Sequence, residues 1–237
     1  MTEKGERKSA VATRRGDDGT TGLLFGGERV PKDDPRTEAF GAIDEAVAAL
    51  GLVRAELVQM ERRGELPRVL AGLAEVVLRI QRELFVAAAE LATAPDATDR
   101  QRAGETRVSA EMVAGLDALL AETEAHVQMP REFVVPGETR LSAELELART
   151  IVRRAERRAV SVRRAEPRSG DRPLRGGQPL SGDRPLTGDQ LVPYLNRLAD
   201  LLWVLARAAE QGEARSATPS RLGGRRRQRP SGAAPDA

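Results

Sequence analysis

Arg149, Arg153, Glu156 and Arg157 lie at helical spacing within a helix-forming run from Gly137 to Val160, GETRLSAELELARTIVRRAERRAV. At about 100° per residue they share an arc roughly 100° wide, with Arg154 and Arg158 turned farther away. Guanidinium is the side chain suited to bidentate recognition of carboxylate or phosphate oxygens. Arg149 and Arg153 are like charges four residues apart, which destabilises an isolated helix by ~0.2–0.5 kcal/mol unless an anion meets them. Two answers are open: a solvated face with Glu146 and Glu156 as local partners, or a clamp for a polyanion. A second segment offers related chemistry. Thr13 to Lys32 reads TRRGDDGTTGLLFGGERVPK, rich in glycine and hydroxyls and basic at both ends. Such a segment presents backbone N–H groups, hydroxyls and cations to phosphate oxygens. It lacks the Gly-Lys-Ser/Thr of a Walker loop, and alone it reads equally well as a flexible linker.

The elements that must position these groups are helices. The opposite arc of the arginine helix carries Leu141, Leu145, Ala148, Ile151, Val152, Ala155 and Ala159, a core face. Across 237 residues the chain is 40% apolar, with 3% aromatics. That is enough for one real core, and the prevalence of Ala, Leu, Arg and Glu points to an all-α class. The formal charge is +2, and residues 212–237 alone hold six arginines against two acids, so the folded part is near neutral. That is no nucleic-acid profile for the fold. The absence of cysteine excludes disulfides, thiolate nucleophiles and Cys-based metal sites. The sole histidine, His126, stands in a polar stretch and is expected at the surface. The N-terminus is too polar for a signal peptide, and no apolar run approaches the ~20 residues of a membrane span. A soluble, cytoplasmic protein is expected.

In chain order, residues 1–11 are expected to be disordered, followed by one helical domain over 12–211. Asp34-Pro35 supplies a capping carboxylate and a first-position proline for a helix running to about Met60. Asp44 lies beside its apolar stripe and would need a partner if buried. Further helices are expected over about Leu66–Thr93, Val108–Ala125 and Leu191–Gln211, with the arginine helix between the last two. Within the last, Tyr194, Leu195, Leu198, Leu202 and Leu205 form the apolar stripe. VRRAE recurs at 152–156 and 162–166, and SGDRPL at 169–174 and 181–186. The repetition and Pro/Gly content read as a tandem expansion forming an inserted loop over 167–188. Residues 212–237 read as a disordered basic tail.

Six blocks in order, TRRGDDGTTGLLFGGERVPKDDPR, EAFGAIDE, RIQRELFVAAAELA, FVVPG, ARTIVRRAERR and YLNRLADLLWVLAR, resemble the cobalamin adenosyltransferases of the propanediol-utilisation type. The resemblance implies an antiparallel five-helix bundle, assembled as a homotrimer with active sites between subunits. It also implies transfer of the adenosyl group of ATP, with Mg2+, to the cobalt of cob(I)alamin, releasing triphosphate. Cobalt is then the nucleophile, which agrees with the lack of a serine, cysteine or general-base constellation. By position in the motifs, Thr13, Arg14, Arg15, Gly16, Thr21, Gly22 and Lys32 resemble the ATP loop. Arg153, Arg154, Glu156, Arg157 and Asn196 resemble helix contacts to ATP, Arg153 with a catalytic role. Asp44 and Arg149 resemble a pair that meets across the subunit interface, and Phe133 resembles the aromatic residue that keeps an axial ligand off cobalt. Trp203 stands where phenylalanine is more usual, on the corrinoid side. Ala46, Val47, Glu138 and Glu146 also depart from the family pattern. The resemblance leaves room for a cob(II)alamin reductase and an adenosylcobalamin-dependent enzyme as partners. A non-catalytic trimer that binds or delivers cobalamin or ATP is the alternative.

The repeat-bearing segment generates one expectation. Trimming residues 167–185 to a short Gly/Ser turn should leave ATP binding and assembly intact, because loop length costs only about 0.6 kcal/mol per doubling. Loss of either function, followed by calorimetry and light scattering, would identify the segment as part of the site.

Overall fold

Asp34 and Pro35 begin the first helix as their chemistry requires. The Asp34 carboxylate accepts the Arg36 N–H at 2.8 Å, and Pro35 fills a first-turn position whose N–H would have no helical partner. The computed structural model describes residues 12–165 and 188–210, with short strand segments at 174–175, 178–179 and 215–216. Its α-helices are α1 (Pro35–Arg63), α2 (Leu73–Ala92), α3 (Ala110–Glu124), α4 (Arg140–Ala165) and α5 (Leu191–Glu210). The expected helix from Leu66 does not form as one piece: Arg68–Leu70 is a 3-10 turn, and Gly72 breaks the run with φ 74°. Only glycine adopts that left-handed conformation at little cost. The arginine helix, in contrast, outruns the expected end at Val160. The second VRRAE copy continues it to Ala165, because Val162 extends the buried Ala155 and Ala159 stripe at helical spacing.

Cross-links fix the helix directions. Arg36 donates to the Leu91 carbonyl at 3.3 Å and Gln81 to the Val47 carbonyl at 2.9 Å, so α1 and α2 are antiparallel. Glu38 meets Arg158 at 3.6 Å and Glu56 meets Arg140 at 3.5 Å, with Glu45 and Arg154 paired between them, so α1 and α4 are antiparallel. Asn196 faces Glu156 and Arg207 faces Glu146, which makes α5 antiparallel to α4. Asp117 of α3 pairs with Arg197 of α5 at 2.7 Å, and Leu120 and Glu124 lie level with Asp200 and Trp203, so these two run in the same sense. Consecutive helices thus alternate in direction.

The core lies among α1, α2, α4 and α5, with Ile43, Leu50, Leu57, Ile80, Leu84, Leu141, Leu145 and Leu195 fully or almost fully buried. Burial of each such side chain contributes about 1.5–3 kcal/mol. Tyr194 is also buried, its hydroxyl donating to Glu83 at 2.9 Å, and burial pushes its pKa well above the ordinary value. Outside the helices, β1 (Thr20–Thr21) pairs with β2 (Val30–Pro31), β3 (Val134–Val135) with β6 (Arg215–Ser216), and β4 (Leu174–Arg175) with β5 (Gln178–Pro179), all antiparallel. The inserted loop, expected to be irregular, therefore contributes two strand segments and the basic tail one, while most of both, and residues 1–11, lies outside the described residues. Among the described residues no helix is long and apolar enough to cross a membrane.

A buried clasp closes the inserted segment onto the bundle. The Glu90 carboxylate accepts the N–H of Val108 at 2.7 Å and that of Gly188, which ties the entrances to α3 and α5 to the end of α2. A Cβ on Gly188 would stand 2.7 Å from a Glu90 oxygen and 2.8 Å from Arg107 Nε. Only glycine lets the backbone come that close. Gly188→Ala should destabilise the fold by about 1–3 kcal/mol, the usual overpacking cost, seen as a lower urea midpoint; an unchanged midpoint would show that the clasp yields freely.

Candidate active site

The carboxylate partners of α4 sort its eight arginines. Arg140 pairs with Glu56 and Glu144, Arg149 with Glu146, Arg154 with Glu45, Arg158 with Glu38, and Arg163 with Asp189. Arg153, Arg157 and Arg164 have no carboxylate partner among the described residues, and Arg153 and Arg157 are exposed one turn apart. Arg157 donates to the Arg153 carbonyl at 3.0 Å, which draws its guanidinium back along the helix. Glu156 stands between them and accepts from Asn196 of α5 at 3.4 Å. Of the two answers open for the like-charged pair, Arg149 takes the carboxylate and Arg153 keeps its donors available.

Arg153 and Arg149 line a recess of about 260 Å³ between α3, α4 and α5, with Leu120, Glu124, Asp200 and Trp203. A second recess of about 410 Å³ is walled by Phe133, Pro136, Glu146, Arg149 and Trp203. Arg149 and Trp203 belong to both, so the two form neighbouring parts of one concave surface, cationic at Arg153 and apolar at Phe133. Phe133 is 89% exposed and no core residue of this chain. β3, directly after it, is held by β6.

Behind this wall lies a buried ionic cluster. Glu146, 5% exposed, takes Arg149 Nε at 2.6 Å on one oxygen and Arg207 at 3.0 Å on the other. Arg207, 2% exposed, also donates to Glu210 at 3.1 Å and lies 5.7 Å from the centre of the Trp203 ring. Burial pushes the Glu210 carboxyl above its ordinary pKa, opposed by the Arg207 charge. Removing one member of such a cluster leaves a buried charge uncompensated, at a typical cost of about 3–5 kcal/mol.

The glycine-rich segment is a hairpin rather than a free linker. Strands β1 and β2 pair, Lys32 N–H donates to the Gly19 carbonyl at 2.9 Å, and Arg29 donates to the Thr20 hydroxyl and to the carbonyls of Arg15 and Thr20. The Thr20 N–H and hydroxyl donate to Asp18 and hold its carboxyl below the ordinary range. The Lys32 side chain lies over Gly16, so close that a Cβ there would stand 3.0 Å from Nζ. Arg14 sits at φ 60°, a left-handed conformation that costs a non-glycine residue roughly 1–2 kcal/mol. Leu24 bonds to the backbone of Ala92 and Ala94, and Arg100 stacks 4.6 Å from the Phe25 ring centre. The hairpin is thereby fastened to the C-terminal end of α2.

Within one chain the structure brings Arg149, Arg153, Phe133 and Trp203 to one surface, places Glu156 against Asn196, and gathers Arg14, Arg15, Gly16, Thr21, Gly22 and Lys32, with Thr13 at their edge, on the hairpin. No hydrogen bond or ion pair among the described residues joins the hairpin to Arg153 or Arg157. Arg154 is spent on Glu45 of α1. Asp44 is exposed rather than buried, because Ile43 and Ala46 take the core positions of that turn, and it has no partner among the described residues. Sequence reasoning missed Arg207 and Glu210. Their signal was a charge pair inside LLWVLARAAE, an otherwise apolar helix buried nearly all round.

Comparisons with known proteins identify the family. The cobalamin adenosyltransferase family pattern matches residues 11–209. A corrinoid adenosyltransferase from Citrobacter freundii is 36% identical over 200 residues, 84% of this chain and 94% of that protein. A cobalamin adenosyltransferase from Cupriavidus metallidurans is 36% identical over 203 residues, 86% of this chain and 89% of its own length. A solved structure of a variant PduO-type ATP:corrinoid adenosyltransferase from Lactobacillus reuteri, complexed with cobalamin and ATP, shares the fold with a TM-score of 0.67 at 24% identity, covering 86% of this chain and 94% of that one. With the motif blocks, the arginine face and the family match falling on the same residues, the chain belongs to the cobalamin adenosyltransferase family.

Proposed function

We propose that this protein transfers the 5′-deoxyadenosyl group of ATP to cob(I)alamin, giving adenosylcobalamin and triphosphate. The observation that carries the reading is the concave surface on which Arg153, with no carboxylate partner among the described residues, adjoins an apolar wall of Phe133 and Trp203. Cobalt(I) of the substrate attacks the ribose C5′, a Co–C bond forms, and the C5′–O bond breaks with its electron pair leaving on triphosphate. The protein supplies no nucleophile. Its work is to hold the two reactants in line and to stabilise charge growing on the leaving group, a task for preorganised cations and amides.

Arg153 and Arg157, with Glu156 and Asn196 fixing the face between them, bind phosphates and nucleoside in this reading. The hairpin residues Thr13, Arg14, Arg15, Gly16, Thr21, Gly22 and Lys32 cover the triphosphate. Since the hairpin is fastened at the end of α2 and no bond among the described residues joins it to Arg153 or Arg157 of the same chain, we assign the two halves of each site to neighbouring subunits of a homotrimer. Exposed Asp44 then reaches Arg149 of a neighbour. Magnesium enters with the triphosphate. Such an ion is held chiefly by phosphates and water. A separate reductase supplies cob(I)alamin, and an adenosylcobalamin-dependent enzyme receives the product.

Arg153→Ala and Lys32→Ala should each lower kcat/KM for ATP by an amount corresponding to about 2–4 kcal/mol, the usual worth of a charged transition-state contact, while the helical circular dichroism stays intact. Unchanged kcat/KM in both would remove the assignment of these residues to the phosphates.

Phe133 has a different task. An exposed ring on the apolar wall excludes water and the lower axial base from cobalt(II), and loss of a donor ligand favours the reduced metal. Phe133→Ala should keep ATP affinity, abolish the paramagnetic resonance signature of four-coordinate cob(II)alamin, and slow adenosylation most when reduction starts from cobalt(II). A variant that retains the four-coordinate signal would leave Phe133 without this role.

A further inference from the structure

We propose that Glu146, backed by Arg207, is a positioning residue for the corrinoid, holding Arg149 and Trp203 as one rigid wall of the recess. This rests on the reading that the recess takes the corrin. A buried ion pair is a poor device for stability, because apolar residues of similar volume commonly do as well. The cluster is therefore to be understood by what it orients. One Glu146 oxygen takes Arg149 Nε and leaves the terminal nitrogens of that guanidinium for the recess it lines beside Arg153. The other takes Arg207, whose guanidinium lies over the Trp203 ring.

Arg207 is confined on every side the described residues provide. Glu146 and Glu210 hold one nitrogen, Trp203 covers the group, and Nε and Nη1 have no hydrogen-bond partner. Glu210 belongs to the same helix as Arg207 and Trp203, so Glu146 is the carboxylate that ties that guanidinium, and the Trp203 ring beneath it, to α4. A single carboxylate thus couples the cationic and apolar parts of the wall. A flat, amide-rimmed macrocycle needs both at once: a fixed indole for its face and directed donors for its peripheral carbonyl groups. The ATP residues Arg157, Glu156 and Asn196 take no part in the cluster, so the effect should fall on the corrinoid and spare the nucleotide.

Trp203 is the only tryptophan in the chain, so its emission reports on the recess directly. In the full-length protein, cob(II)alamin titration should quench that emission. Glu146→Gln should weaken cob(II)alamin binding and raise KM for cob(I)alamin about tenfold, keep KM for ATP within about twofold, and shift the emission of the unliganded protein. Glu146→Asp, which keeps the charge but is too short to reach both arginines, should fall between. A folded Glu146→Gln protein with wild-type corrinoid affinity would overturn the inference. If that variant fails to fold, wild-type corrinoid affinity in Glu146→Asp would overturn it, and a weakened affinity with unchanged KM for ATP would support it. Wild-type protein that neither binds cob(II)alamin nor forms adenosylcobalamin would instead overturn the functional reading and this inference with it.

Discussion

A cation already paired with a carboxylate has little left to offer a polyphosphate, and in the proposed reading this constraint organises α4. The helix must bury one stripe, anchor to α1, and still present donors. It does so by angular sorting. Ala148, Val152, Ala155 and Ala159 go inward, Arg154 and Arg158 go to Glu45 and Glu38, and Arg153 and Arg157 remain without a carboxylate among the described residues. The pairs to α1 are exposed, and such pairs typically contribute at most ~1 kcal/mol each. Their larger effect is rotational: they leave the helix one orientation about its axis, and with it one face for Arg153. The core stripe enforces the same orientation far more strongly.

The second demand is an apolar, rigid surface beside that cationic one. α5 meets it from within the bundle. Its buried sequence carries Trp203 to the recess and places Arg207 behind the ring. The two kinds of surface meet at Arg149, which belongs to both recesses and is held by Glu146. Strain and tight approach, in contrast, collect at the ends of elements: Arg14 in its left-handed conformation, Lys32 lying over Gly16, and Gly188 seated on Glu90 and Arg107. Stiff helices supply direction, and in the proposed reading the hairpin supplies a shaped cover.

Much of the helical layout was legible in the chain, because each long run has a matched apolar period and several have capping signals, as at Asp34-Pro35. The core arc of α4 and the distinct destination of Arg154 and Arg158 followed from angle alone. What the sequence obscured has physical reasons. Gly72 divides an apolar period that would otherwise suggest one helix. The duplicated VRRAE looks like loop material until Val162 is seen to continue a buried stripe. The glycine-rich segment reads as a linker because its order comes from non-local bonds, those of Arg29 and Leu24, which no local pattern reveals. Arg207 shows only as a charge inside an apolar helix, because its partner Glu146 lies on another helix.

In the proposed reaction a surface of arginine and aromatic rings joins two substrates without a nucleophile of its own. The most direct measurement is a single incubation of the wild-type protein with chemically reduced cob(I)alamin and MgATP, followed by identification of both products. Adenosylcobalamin and intact triphosphate should form in equal amounts. Corrinoid that binds but gains no cobalt–carbon bond, or ATP that is converted only to ADP and phosphate, would contradict it.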